Sequence, residues 1–182
     1  MSAVLESQFA VVPYYKERQS FPPGLLNGIY RKLCAEGVDR ELMHNGLIEE
    51  EEFVRFADEE ALTSIFLDLR GQCAGLAWLT NIEETETMKK ALGAFAFFKE
   101  YWHPAVTSEF GTICLSQWFN TLEFDMIYGI TPVPNRPARQ FCKRLGFEYS
   151  ARIPNFVSYK GKTADAMVAT LTREQFNQRI GS

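Results

Sequence analysis

Nowhere in its 182 residues does the chain hold eighteen consecutive apolar residues, and Met1 to Tyr15 lacks a basic region followed by a long apolar run. Neither a membrane-spanning helix nor a secretory leader is therefore expected. Positive charge is in deficit, because 19 Lys and Arg face 23 Asp and Glu for a net charge of −4. Such a chain has no field to draw in a phosphate backbone, so nucleic acid is not an expected ligand, and an amine-bearing molecule suits it better. Cys34, Cys73, Cys114 and Cys142 are scattered, with no Cys-x-x-Cys pair and no histidine at ligand spacing. That pattern supports neither a metal site nor a disulfide framework, and points to reduced thiols in a cytoplasm. Internal repeats, low-complexity tracts and flexible linkers are also missing. The expectation is one domain over residues 1–182, long enough to bury roughly 70% of its unfolded surface.

What is present in quantity is phenylalanine, fifteen residues of it, which suggests aromatic-rich strands. Gln8 to Tyr15 reads as a short strand. The Phe21-Pro22-Pro23-Gly24 turn then leads into an apolar helix from Leu25 to about Cys34. A second helix is expected from Val38 through the acidic run Glu49 to Glu52, a run that serves either as a solvated helix face or as an attractor of a cationic acceptor. Leu62 to Leu69, Cys73 to Thr80 and Met88 to Tyr101 form a meander of three strands, broken at Arg70-Gly71-Gln72 and at Asn81 to Thr87. Helical spacing of Val106, Phe110, Ile113, Cys114, Trp118 and Leu122 predicts a helix from Pro104 to Leu122, followed by a strand at Asp125 to Thr131.

Pro132 and Pro134 end that strand, Asn135 can cap the next helix, and Pro137 is tolerated in its first turn. Ala138, Phe141, Cys142 and Leu145 give this helix a single apolar stripe. Gly146 stands where a positive φ is needed to stop it, and Phe147 can fold back onto Cys142. Strands at Phe147 to Tyr159 and Thr163 to Leu171 follow, and Thr172 caps a last helix. The order of elements is α+β, with one strand-helix-strand unit in a largely antiparallel sheet.

The segment Asn135-Arg-Pro-Ala138-Arg-Gln-Phe141-Cys142-Lys-Arg-Leu145-Gly146-Phe147 resembles, in every spacing, the late motif of GNAT acyltransferases, Asn-x-x-Ala-x-x-Leu-Tyr-x-x-x-Gly-Phe. The stretch after it, Ile153-Pro154 through Gly161, Asp165 and Leu171-Thr172-Arg173-Glu174, is similar to the tail of the ribosomal-protein N-terminal acetyltransferases. Together the two cover about the last third of the chain. The resemblance implies the GNAT fold: a mixed, mostly antiparallel sheet with helices on both faces and a parallel strand pair that splays apart. The pantetheine arm of acetyl-CoA, or of another acyl-CoA, fills the gap as a pseudo-strand. The matching strands are Met88 to Tyr101 and Asp125 to Thr131. Small residues at Ala91, Gly93, Ala94 and Ala96 suit either close approach of a ligand or packing against Phe95, Phe97 and Phe98.

The family holds the pyrophosphate with a Gln/Arg-x-x-Gly-x-Gly/Ala loop opening the helix after the fourth strand. Here that loop is replaced by Trp102-His103-Pro104-Ala105-Val106-Thr107, in which Ala105 and Thr107 stand for glycines and Pro104 has no N–H. The helix terminus can still attract an anion, with His103 or Lys99 adding charge. On the later helix, Arg136, Arg139 and Lys143 share a face that either meets the adenosine phosphates or is simply solvated. Asn135 is implied to contact the pantetheine arm besides capping its helix.

The chemistry implied is direct acyl transfer to a primary amine of a peptide, protein or small molecule, with no covalent enzyme intermediate. Glu100 is the first choice for the base that frees the amine, and the oxyanion donors are expected among the backbone N–H groups around Phe98 and Lys99, with Tyr101 and His103 as helpers. Cys142 occupies the position of the family's proton-donating Tyr; it is either a thiol acid or a buried inert thiol. The rival reading is a non-catalytic GNAT-like binding or interaction module. Monomer and homodimer both remain open.

Overall fold

The computed structural model describes residues 9–15, 21–39 and 49–181. Within them lie five helices: α1 (Leu25–Glu36), α2 (Glu50–Arg55), α3 (Pro104–Ser116), α4 (Arg136–Leu145) and α5 (Arg173–Ile180). The strands are β1 (Ala10–Pro13), β2 (Leu62–Leu67), β3 (Cys73–Glu84), β4 (Lys89–Phe97), β5 (Met126–Pro132), β6 (Glu148–Tyr159) and β7 (Lys162–Thr172). They form one sheet in the order β1-β2-β3-β4-β5-β7-β6. Of the expected elements, Gln8 and residues 40–48 of the second helix fall outside the described residues. The helix predicted to run from Pro104 to Leu122 widens into a π-turn at Gln117–Thr121.

Every neighbouring pair in the sheet is antiparallel except β4 with β5, which is parallel. Period-two alternation along the central strands sends side chains into two cores. Ala91, Phe95 and Phe97 of β4 pack with Phe110, Cys114, Trp118 and Phe119 of the α3 segment and Phe176 of α5. Ala94, Ala96 and Phe98 pack with Leu26, Ile29 and Leu33 of α1 and Phe53 of α2. The sheet is thus a layer between helices, as an α+β sandwich requires.

Local chemistry explains α4 completely. The Asn135 side chain accepts from Ala138 N–H at its start. At its end Gly146 adopts φ 95° while Phe147 N–H donates to Cys142 C=O and Gly146 N–H to Lys143 C=O, the paired bonds of a Schellman stop. A capping box of Thr172 and Gln175 starts α5.

The parallel pair is closed firmly at one end. Lys89 N–H donates to the Asp125 carboxylate at 2.8 Å, and Asp125 N–H donates to Lys89 C=O at 2.8 Å. Arg173 reaches the same carboxylate and also donates to the carbonyls of Phe124 and Glu123. This vertex closes the end of the pair opposite to where the two strands diverge.

Candidate functional site

β4 and β5 keep register for three residue pairs, Lys90 with Met126, Ala91 with Ile127 and Leu92 with Tyr128. Beyond them the strands part, although β4 continues to Phe97 and β5 to Pro132. A cavity of about 490 Å³ fills the gap. Its walls are Gly93 to Phe97, Gly129 to Pro132, the start of α3 with Trp102, Pro104 and Thr107, and the inner face of α4 with Asn135, Phe141, Cys142 and Arg144. Val38, which packs in the α1 core, borders the cavity from the other side of the sheet.

Backbone groups alternate between the two edges of a strand, so bonds at the strand ends show which groups face the gap. Phe98 N–H donates to Ala74 of β3, which turns Ala96 and Ala94 toward β3 as well and leaves Phe97, Phe95 and Gly93 facing β5. On β5, Val133 N–H donates to Asp165 C=O, so the β5 groups facing β4 belong to Tyr128, Ile130 and Pro132. Two of these groups are capped within the protein. Trp102 Nε1 donates to Phe97 C=O at 2.8 Å, and Asn135 N–H donates to Pro132 C=O at 2.9 Å. The N–H and C=O of Phe95 and of Ile130, with the N–H of Phe97, border the gap with no strand partner there. Unpaired groups of this kind cost on the order of 1–3 kcal/mol each if nothing satisfies them, which favours an amide-bearing guest.

At the start of α3 the donors are few. Thr107 N–H is bonded to His103 C=O, His103 N–H to Tyr101 C=O and Trp102 N–H to Lys99 C=O, while Pro104 has none. The amides of Ala105 and Val106 remain, the first free donors of the helix. Thr107 is buried in the cavity wall, and its hydroxyl donates to His103 C=O. His103 and Ala105 are exposed and lie outside the wall.

On α4, Asn135 is buried at 6% exposure and lines the cavity with its cap intact. Cys142 is half-buried there. Burial pushes its thiol above the ordinary range, against the opposing effect of a hydrogen bond with Thr131. Tyr149 lies near enough for the Cys142 charge to act on it and is pushed up to about 12, chiefly by burial. Its hydroxyl donates to Arg139 C=O at 2.9 Å, so its proton is directed away from the thiol.

Arg144 was not singled out by the sequence, yet it lines the cavity, its Nε donating to Ser108 Oγ at 3.1 Å and its Nη2 approaching Thr107 Oγ1 at 3.5 Å. Helical spacing from Pro137 and Phe141 is the signal that points to it. Arg139, picked from the same helix, lies outside the wall with its Nε buried and unbonded, and Arg136 and Lys143 are exposed.

Three expectations need correction. Glu100 is exposed, sits outside the cavity wall and pairs with Lys32 at 2.6 Å, so it does not face the gap as a base. Phe98 and Lys99 do not present oxyanion donors, because the Phe98 amide is spent on Ala74 C=O and the Lys99 amide on the Glu36 carboxylate at 2.7 Å. Tyr101, proposed as a helper, donates its hydroxyl to Asp68 at 3.0 Å and stands off the wall.

Asp165, part of the tail resemblance, has a local role. It accepts from Asn155 N–H and Arg152 Nε, bracing β6 where its register with β7 slips between Ile153 and Val157.

No family model and no curated protein matches the sequence. Solved structures do match. A spermidine N-acetyltransferase from Vibrio cholerae, in complex with CoA and spermine, aligns with TM-score 0.76 and 16% identity over 94% of this chain and 99% of that one. A chimera of the Vibrio cholerae enzyme with hSSAT aligns with TM-score 0.72 and 17% identity over 95% of this chain and 100% of that one. A probable acetyltransferase gives TM-score 0.70 and 13% identity over 93% and 95%. None of these three descriptions points to the ribosomal-protein subgroup that the tail residues suggested. At such identities the likeness is one of architecture: the chain has the GNAT fold, with its parallel strand pair splayed around a cavity.

Proposed function

We propose that the protein is an acyl-CoA-dependent N-acyltransferase that passes an acyl group, acetyl in the simplest case, directly to a primary amine. The observation that carries this reading is the gap between β4 and β5, with bare peptide groups of Phe95, Phe97 and Ile130 along its edges. The neighbour solved with CoA and spermine supports both the carrier and a small polyamine as acceptor class. A peptide amine, suggested by the tail of the sequence, has weaker support because Asp165 there braces a strand. The net charge of −4 suits either amine, and four unpaired thiols suit a cytoplasmic enzyme.

The residues present fit such a carrier. Phe95 and Ile130 would hydrogen-bond its amides, and Asn135, Phe141 and Thr131 would line its arm. Bound there, an acyl-CoA supplies an activated thioester carbonyl and a thiol leaving group. The N–H of Phe97 would take over the role first assigned to Phe98 and Lys99, offering a donor to a developing oxyanion. Among the described residues the wall has no carboxylate and no imidazole, and water at the mouth of the gap would take the proton from the amine. Cys142, whose thiol burial holds above its ordinary range, would return a proton to the leaving sulfur and recover one from solvent.

Two measurements test this. A thermal melt with acetyl-CoA at a hundred times its dissociation constant adds about 2.7 kcal/mol, a shift of roughly 5–10 °C for a chain of this size. An amine panel read by free thiol release then identifies turnover. Binding without release under any amine selects the non-catalytic module, and absence of both rejects the carrier.

A further inference from the structure

We infer that Arg144 anchors the phosphates of the acyl carrier, a side-chain clamp from α4 in place of the loop amides that the start of α3 does not offer. This rests on the acyltransferase reading and extends it to how the carrier's anionic half is recognised.

Among the described residues that line the cavity, Arg144 is the one that carries a charge. Among the described residues it has no carboxylate partner; its bonds go to the neutral hydroxyls of Ser108 and Thr107. A half-buried guanidinium held only by two neutral hydroxyls has its lost hydration partly offset and its charge not at all, and an anionic ligand is what restores the balance. Five N–H donors in a planar fork match phosphate oxygens in pairs, and Ser108 and Thr107 engage only part of that fork. Lysine or a neutral donor would not give the same fit.

The position of Arg144 is built by packing. Gly111 of α3 lets α4 approach closely, since a Cβ there would stand 2.8 Å from Leu145 Cδ1 and 3.1 Å from Phe141 Cζ. Arg179 of α5 donates to Arg144 C=O at 2.6 Å and ties the same turn from behind. The guanidinium consequently reaches the first turn of α3, where only the Ala105 and Val106 amides remain to meet an anion.

The test uses the full-length protein, its Arg144→Gln and Arg144→Lys variants, and calorimetric titration with CoA and with pantetheine, which shares the amide arm and lacks the phosphates. Arg144→Gln is expected to weaken CoA binding on the order of 10- to 100-fold while leaving pantetheine unchanged, with Arg144→Lys in between. Equal loss for both ligands, or loss for neither, overturns the assignment. If the wild type binds neither ligand, the acyltransferase reading fails. This inference then falls with it, whereas CoA binding that is indifferent to both Arg144 substitutions rejects this inference alone and leaves the acyltransferase reading standing.

Discussion

The indole N–H of Trp102 is bonded to the carbonyl of Phe97, the last residue of β4, so an aromatic side chain from the α3 approach terminates the bare edge of the strand. Trp102 is itself 45% exposed at the rim of the cavity. Trp102 therefore closes the end of the bare edge at the mouth of the gap.

Trp102→Phe keeps the ring and removes the donor. Because the carbonyl it leaves lies where water can reach, the expected loss of stability is about 1 kcal/mol, at the low end for a broken hydrogen bond. The KM for acetyl-CoA should rise severalfold with kcat nearly constant. Urea unfolding and steady-state kinetics check both, and an unchanged KM would remove Trp102 from the site.

Gly75→Ala should be far more damaging. Gly75 has φ 151°, and a Cβ there would lie 2.1 Å from the Ala96 carbonyl oxygen, backbone that cannot yield without breaking the β3–β4 ladder. A loss of at least about 3 kcal/mol is expected, well above an ordinary substitution. A melting temperature within a few degrees of wild type would refute the close approach.

Cys142 carries a pH prediction. Its folded pKa is raised above the unfolded value, so the proton is held more tightly in the native state; that contribution is present below the unfolded thiol pKa and is lost as pH rises through the folded one. Iodoacetamide should label Cys142 slowly at pH 7.5, faster beyond about pH 9, and more slowly again with CoA present. Peptide mass spectrometry reads the rate. Labelling at pH 7.5 as fast as that of a free thiol contradicts the burial argument.

Glu100→Gln is expected to leave kcat within about threefold, since a general base contributes on the order of 100-fold or more. What it removes is an exposed pair with Lys32, worth less than about 1 kcal/mol. Lys32 keeps its place 4.2 Å over the Phe98 ring. A hundredfold fall in kcat, with the pH profile losing its acidic limb, would reinstate Glu100 as the base.

The sequence carries α4 in full because its start, stripe and stop are local: Asn135 caps, Pro137 sits in the first turn, and Gly146 adopts the left-handed conformation. The splayed pair was expected only through the resemblance that the Asn135–Phe147 segment carries. The donors facing the gap were not, because the partners of Phe98 and Lys99 are Ala74 and Glu36, the latter 63 residues away. The same holds for Glu100, whose partner Lys32 is 68 residues distant. Arg144 was hidden for a related reason: its contact with α3 depends on the glycine at position 111, which has no meaning until the two helices cross.

Among the described residues, the hydrogen bonds that join β1–β4 to β5–β7 within the sheet are confined to three rungs and the Asp125 vertex. In its hydrogen bonds the sheet is a book with a short spine, two leaves laddered within themselves and held together beneath by the aromatic core. A guest hydrogen-bonded to both leaves acts as a clasp, so amide protons near the spine should gain protection on binding while the outer strands exchange as before.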